Sequence, residues 1–286
     1  MGIVGFIVVF AMVFGGYVLH GGQMRVMWQP TEFMVIFGGA IGAIIISSPI
    51  SSIKMMVGMT IKALIAGGLK KSDYLDLLQM MYRLFQVFRK DGPQAVEKHI
   101  EDPMNSEIFK AYPTFLKNHH AVDFLCDTMK ITLSADLSQY DVDDLLDQDI
   151  KVIHEEEHQA QGIMGSVADA MPGLGIVAAV QGVILTMGKL TEGTEAIGAS
   201  VAAALVGTFL GVMAAYCMFA PLASKMAKNI DAEGRYLKVI KAAMVALQKG
   251  APPLVCVEYA RRSIYPNDRP SFEEMDSSTR DMKKAA

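Results

Sequence analysis

The sequence predicts an all-α, polytopic membrane protein with four transmembrane helices and a helical cytoplasmic domain inserted between helices two and three. Three observations predict it. Four apolar runs are long enough to cross a bilayer, since at ~1.5 Å rise per residue ~20 residues cover the ~30 Å hydrocarbon core. The 286 residues are 52% hydrophobic with a mean hydropathy of +0.30 and a net charge of -4, which fits a membrane protein and neither a soluble domain nor a nucleic-acid binder. The long segment between the second and third runs shows apolar residues at three-and-four spacing and little strand-like alternation.

Residues 2 to 19 are uncharged and open without a basic region. Gly15, Gly16, Gly21 and Gly22 stand where a signal peptide would carry a small-residue cleavage site, so the segment reads as a retained helix. A short loop, Leu19 to Glu32, leads to a second uncharged run from Phe33 to about Ile53, with Gly38 and Gly42 in GxxxG spacing. Residues 1–53 are thus expected to hold helices one and two, and 54–164 the cytoplasmic helical domain. Within it, the pattern of Leu75 to Phe88 is broken by Gly92-Pro93; a short helix around Val96–Ile100 stops near Pro103, and Ala121 to Leu133 and Val142 to Ile153 give two more. Such a domain looks too thin to bury a large core and is expected to lean on neighbouring copies.

Residues 165–222 form the third and fourth spans, a hairpin. At helical spacing Pro172, Gly175, Ala179, Gly182 and Thr186 share one side of the first arm, and Val201, Ala204, Thr208, Gly211 and Ala215 one side of the second. Ala203, Gly207, Gly211 and Ala215 also make a small-xxx-small series, which lets helix backbones approach closely in lipid. Two readings follow: tight helix packing, or a polar path beside a partner helix. Pro172 and Pro221 lack an N–H and release the carbonyls of Ala168 and Cys217, leaving bend points and spare acceptors. No carboxylate falls mid-membrane in this reading. Asp169 stands at the cytoplasmic entrance of span three as an interfacial charge or a relay, so a conducting hairpin needs an acid from a partner. Residues 223–286 are read as a helix to Gln248, a stop at Gly250-Ala251-Pro252-Pro253, an amphipathic stretch to Ile264, and a polar tail that stays disordered unless a partner orders it.

Orientation follows from the basic residues. The two short connections carry only Arg25 and Lys189, whereas Lys54, Lys62, Lys70 and Lys71 follow span two and Lys225, Lys228, Arg235, Lys238 and Lys241 follow span four. By the positive-inside rule both termini and the central segment are cytoplasmic. Cys126, Cys217 and Cys256 are scattered and odd in number, against a disulfide framework or a structural zinc site. His154-Glu155-Glu156-Glu157-His158 matches H-E-x-x-H, in which two histidines bind zinc and the glutamate acts as base, so a membrane zinc protease is an alternative. The motif lies in a charged run without a clear third ligand, so no metal or other cofactor is assigned; a charged helix face near the membrane explains it more simply. A non-conducting membrane scaffold is the third class.

Local motifs then identify a resemblance. Phe14-Gly15-Gly16-Tyr17, Gln29-Pro30-Thr31-Glu32-Phe33, Ala111-Tyr112-Pro113, the run Met171 to Val180, Val206 to Gly211, Ala220-Pro221-Leu222-Ala223 and Arg269-Pro270-Ser271-Phe272 stand in the order found in the MotA/PomA family of flagellar stator subunits, which the chain resembles over nearly its full length. An ExbB/TolQ-like energiser is the weaker match, because its helix order differs. The resemblance implies a pentamer in the bacterial inner membrane around a dimer of a MotB-like single-span subunit, whose aspartate takes the ion, with the ring turning the rotor through the switch protein FliG. No enzyme is expected, since the sequence has no GxxxxGK(S/T), no G-x-S-x-G and no GxGxxG between strand and helix. The resemblance also implies that Pro172 and Pro221 are mechanistic prolines, that Thr208 is the hydroxyl near the aspartate, and that Arg89 and Glu97 meet FliG. Sodium-driven members carry threonine at the position of Ala179, so alanine there points to protons, although Thr186 on the same face could offer an oxygen to a sodium-driven alternative.

Overall fold

The computed structural model describes residues 2–65, 67–188 and 193–285, the last six by backbone only; Lys189, used above for orientation, lies outside them. Among the described residues every regular element is helical. The chain divides into two compact units, Met1–Gly67 with Glu156–Ile230, and Gly68–Glu155 with Asp231–Ala286.

The first unit begins with α1 (Gly2–Leu19), a short α2 (Met24–Met27), α3 (Pro30–Ser47) and α4 (Ile50–Ile65). Span two therefore ends six residues before the expected Ile53. Ser48 is extended because it precedes Pro49, and a proline disfavours the α region for the residue before it. Helix α10 (Gln139–Met187) crosses into this unit unbroken, so the separate helix expected at Val142–Ile153 and the third span are one element of 49 residues. The last arm is also continuous: α11 (Thr194–Met213), a π-helical segment (Ala214–Phe219) and α12 (Ala220–Gln248). Four of these helices are long and apolar enough to cross a membrane. No residue of α1 is buried, and Ile3, Ile7, Met12, Met34, Ile45, Val180 and Ile184 are all exposed, as lipid-facing side chains must be.

The second unit is built on α5 (Lys71–Asp91). Leu77, Leu78, Met81, Leu84 and Phe85 recur at helical spacing and are fully buried. Its start is fixed by the Lys70 N–H donating to Asp73 Oδ2 (2.8 Å), and its end by Gly92, whose φ of +82° suits glycine, ahead of the Pro93 that opens α6 (Pro93–Glu101). Helices α7 (Glu107–Lys110), α8 (Pro113–Leu116) and α9 (His119–Ser134) follow, two of them capped by Ser106 and Asn118 side chains. α13 (Pro253–Arg262) and α14 (Phe272–Ala285) pack on α5.

Two expectations are corrected here. The segment does not rely on neighbouring copies for its core, because Tyr236, Leu237, Ile240 and Met244 of α12 and Cys256 and Val257 of α13 join it. Nor is the tail disordered. Ser271 caps α14 through the Glu274 N–H, Glu274 accepts from Lys71 Nζ (2.8 Å), and Met275 is fully buried. The partner that orders the tail is α5 of the same chain.

Candidate functional site

Helices α10 and α11 meet where both lack side chains. A Cβ added to Gly211 would lie 2.6 Å from the Met171 carbonyl oxygen and 2.8 Å from Gly175 Cα; one added to Gly175 would meet Gly207 O at 2.9 Å. Farther along, a Cβ on Gly182 would stand 2.7 Å from that of Ala204. Backbone thus touches backbone, which is how apolar helices gain contact energy when lipid supplies no hydrophobic drive. For Gly175, Gly182, Gly207 and Gly211 the small stripe is an intramolecular packing surface.

Ala179 and the chain neighbour of Thr208 meet at its edge. Gly207, next to Thr208, faces Ala178 and the backbone of Ala179, to which a Cβ there would come within 3.1 and 3.3 Å, and both Ala179 and Thr208 are half-buried. Pro172 lies inside α10, also half-buried. Pro221 is elsewhere: it is exposed and lines an apolar groove with Phe6, Val9, Cys217 and Lys225. Just before it the helix widens into the π-helical segment, where the Ala220 N–H reaches the Ala215 carbonyl five residues back. A π-turn lets the chain absorb the missing proline hydrogen bond without breaking, and such turns gather at functional sites.

Thr186 is fully buried, and its hydroxyl donates to the Gly182 carbonyl one turn back (2.8 Å). Asp169 is exposed. His154, Glu155 and His158 lie on continuous α10, and His154 Nε2 stands 3.5 Å from Asp231 Oδ1. In the second unit Arg89 and Glu97 are exposed on α5 and α6. Arg89 donates to the carbonyls of Gly250 and Ala251, the latter at 3.0 Å, and so holds the turn after α12; its charge is tied to a structural task.

Sequence reading missed Glu32. It had been placed at the end of a loop, but it lies in the first turn of α3 and only 8% of it is exposed. Its Oε2 comes within 3.1 Å of the point where a Cβ on Gly207 would sit. An acid three residues into a proline-started helix was the available signal; a purely linear view of charge and hydropathy does not show that the turn faces the hairpin.

A four-helix membrane unit around a glycine-lined hairpin, joined to a helical charged unit, defines a class. Residues 116–238 match the MotA/TolQ/ExbB proton channel family, and residues 3–92 match the motility protein A N-terminal family. Motility protein A of Salmonella typhimurium is 33% identical over 278 residues, covering 97% of this chain and 94% of that protein. Chemotaxis protein LafT of Vibrio parahaemolyticus is 33% identical over 273 residues, covering 95% of each. The solved structure of C. jejuni MotAB has the same fold, with a TM-score of 0.77 at 20% identity over 95% of this chain and 98% of that one. The chain belongs to the MotA/PomA family of flagellar stator subunits.

Proposed function

We propose that this chain is the ring-forming stator subunit that couples inward proton flow to rotation of the flagellar rotor. It sits in the bacterial cytoplasmic membrane with both termini and the second unit inside, and five copies surround two MotB-like spans that supply the ionisable aspartate. The geometry beside Ala179 carries the proton assignment. A stripped sodium ion needs several oxygen ligands at once to replace its hydration shell, whereas a proton needs a carboxylate and a hydrogen-bonded route. Around Gly207 this chain brings the Glu32 carboxylate, which can bind a proton, while the only hydroxyl nearby in the chain is that of Thr208, because residue 179 is alanine and Thr186 lies seven residues, roughly 10 Å, farther along α10. Each charge crossing is worth ~2.3 kcal/mol per 100 mV, so repeated crossings can drive a ring.

The test is motility in sodium-free medium with an intact proton gradient. Unchanged swimming supports protons; swimming that stops without sodium and returns with it overturns them. The chain expressed alone should conduct nothing, since its hairpin awaits the partner's aspartate.

Rotor contact through Arg89 and Glu97 belongs to the same proposal. Because Arg89 also holds the Gly250–Ala251 turn, Glu97→Lys is the cleaner probe. It should weaken motility while assembly persists, and a reversed charge on FliG should partly restore it.

A further inference from the structure

Within the four spans the charge pattern singles out one carboxylate. Helices α1, α2 and α3 with the spanning parts of α10 and α11, residues 2–47, 171–187 and 194–213, carry only Glu32, Arg25 and Glu195 as charged side chains. Arg25 and Glu195 are exposed. Glu32 is more than nine-tenths buried, and its carboxylate forms no hydrogen bond or ion pair among the described residues.

An acid in the first turn of a helix usually serves that helix, by capping its N–H groups or complementing its dipole. Here Gln29, the residue before α3, has no side-chain cap, and the Glu32 carboxylate reaches to α11 instead, into the notch left by the missing side chain of Gly207. That notch opens on Ala178 and Ala179 of α10. Ala179 lies eight residues, about 12 Å, before the outer end of α10 at Met187, and seven residues, about 10 Å, beyond Pro172. The carboxylate therefore stands between the hairpin's outer end and the proline, against Gly207, the chain neighbour of the half-buried Thr208. No unpartnered side-chain oxygen is sealed off among the described residues, so the Glu32 carboxylate keeps an opening through which a proton can come and go, and ionisable groups in spans mark ion pathways.

We propose that Glu32 is a proton-binding relay on the outer side of the path, taking a proton from outer water and releasing it inward to the partner's aspartate, with Gly207 kept side-chain-free to seat it. This rests on the stator reading above. In each cycle the carboxylate gains one proton from outside and loses one inward, so nothing is consumed.

The experiment uses the chain with its single-span partner in cells lacking their own stator, and the purified complex. Glu32→Gln is nearly isosteric and should assemble with the partner yet lower torque roughly tenfold or more, as loss of a positioned proton-transfer group does. Glu32→Asp should fall between the two. In the purified complex a hydrophobic carbodiimide, which adds to a protonated carboxyl to give an N-acylurea, should label Glu32, and labelling should fall as pH rises. Wild-type torque in Glu32→Gln overturns the relay, and so does absence of label on Glu32. If Glu32→Gln fails to assemble, labelling of the wild-type complex decides: pH-dependent label supports the relay, and none leaves Glu32 a packing wedge. Failure of the stator reading shows separately, as a wild-type complex that yields no torque.

Discussion

The two units of this chain are held together by opposite means. The second unit is organised like a soluble domain: eight side chains of α5 are buried, among them Tyr82 and Phe85, and charged groups such as Glu258 with Arg261 and Arg262 tie its surface. In the first unit no residue of α1 is buried, large apolar residues face outward, and α10 meets α11 backbone to backbone through glycines. Bulk stabilises one unit and its absence stabilises the other. In water apolar side chains are driven inward, whereas in lipid they gain nothing by leaving the surface, and only close van der Waals approach rewards association.

The comparison breaks first where atoms are removed from the second unit. Phe85 is fully buried in its core, so Phe85→Ala should cost about 3–5 kcal/mol, enough to unfold a marginal unit. Loss of soluble expression of residues 68–155 is no test, because α12 to α14 complete the core; the full chain's denaturation in detergent is the measurement.

In the first unit the disruptive change is an addition. Gly211→Ala places a methyl 2.6 Å from the Met171 carbonyl oxygen and 2.8 Å from Gly175 Cα, both backbone atoms that no rotamer change can move. Overpacking of this kind costs about 1–3 kcal/mol, and the hairpin should splay. A disulfide trap across the α10–α11 hairpin that closes in the wild type and not in Gly211→Ala would register it. The parallel change Gly39→Ala meets only the Leu174 Cδ2 at 2.8 Å, a flexible terminus, and should be tolerated.

Electrostatics gives a smaller effect, confined to the second unit. Glu258 receives paired hydrogen bonds from Arg261 (2.7 and 2.8 Å) and one from Arg262 (2.7 Å), and these hold its carboxyl below the usual range. A carboxylate with a depressed folded pKa stabilises the fold above its unfolded value, about 4.3, and that increment is lost as pH falls through the folded value. At pH 7 Glu258→Gln should cost roughly 1–2 kcal/mol. The gap between wild type and variant should narrow once pH drops below about 4.3 and close only as it falls through the depressed folded value; a gap unchanged in acid would show that packing, not charge, is what α13 loses.

Much of this was legible in the chain. The four spans, α5, α6, α9 and the breaks at Gly92-Pro93 and Gly250 to Pro253 follow from periodicity and local stop signals, which are properties of neighbouring residues. Apart from the end of span two, what failed were inferences that depend on distant ones. The tail looked disordered because its docking surface, α5, lies two hundred residues upstream in the pairing of Lys71 with Glu274. Ser48 was overrun because hydropathy ignores what Pro49 does to the backbone before it. The motif run Met171 to Val180 lies in the hairpin that packs through glycine, but Glu32 reaches it from another helix and Arg89 is tethered to the turn after α12, facts that only tertiary placement supplies.

The finest distinction is between glycines two residues apart. Gly173 and Gly175 belong to one motif, and spacing alone treats both as packing positions. Around Gly173 an added Cβ meets nothing within 4 Å, while at Gly175 it meets backbone at 2.9 Å. Gly173→Ala should therefore leave the hairpin intact and gain up to ~1 kcal/mol, since alanine surrenders less backbone entropy than glycine inside a helix. Thermal denaturation of the detergent-solubilised chain checks the gain. The same variant also reads the assembly: Gly173 is exposed in the single chain, so a stable Gly173→Ala chain that no longer forms rings with its partner would place this glycine at a contact between subunits. Retention of rings and of swimming would leave it on an open face.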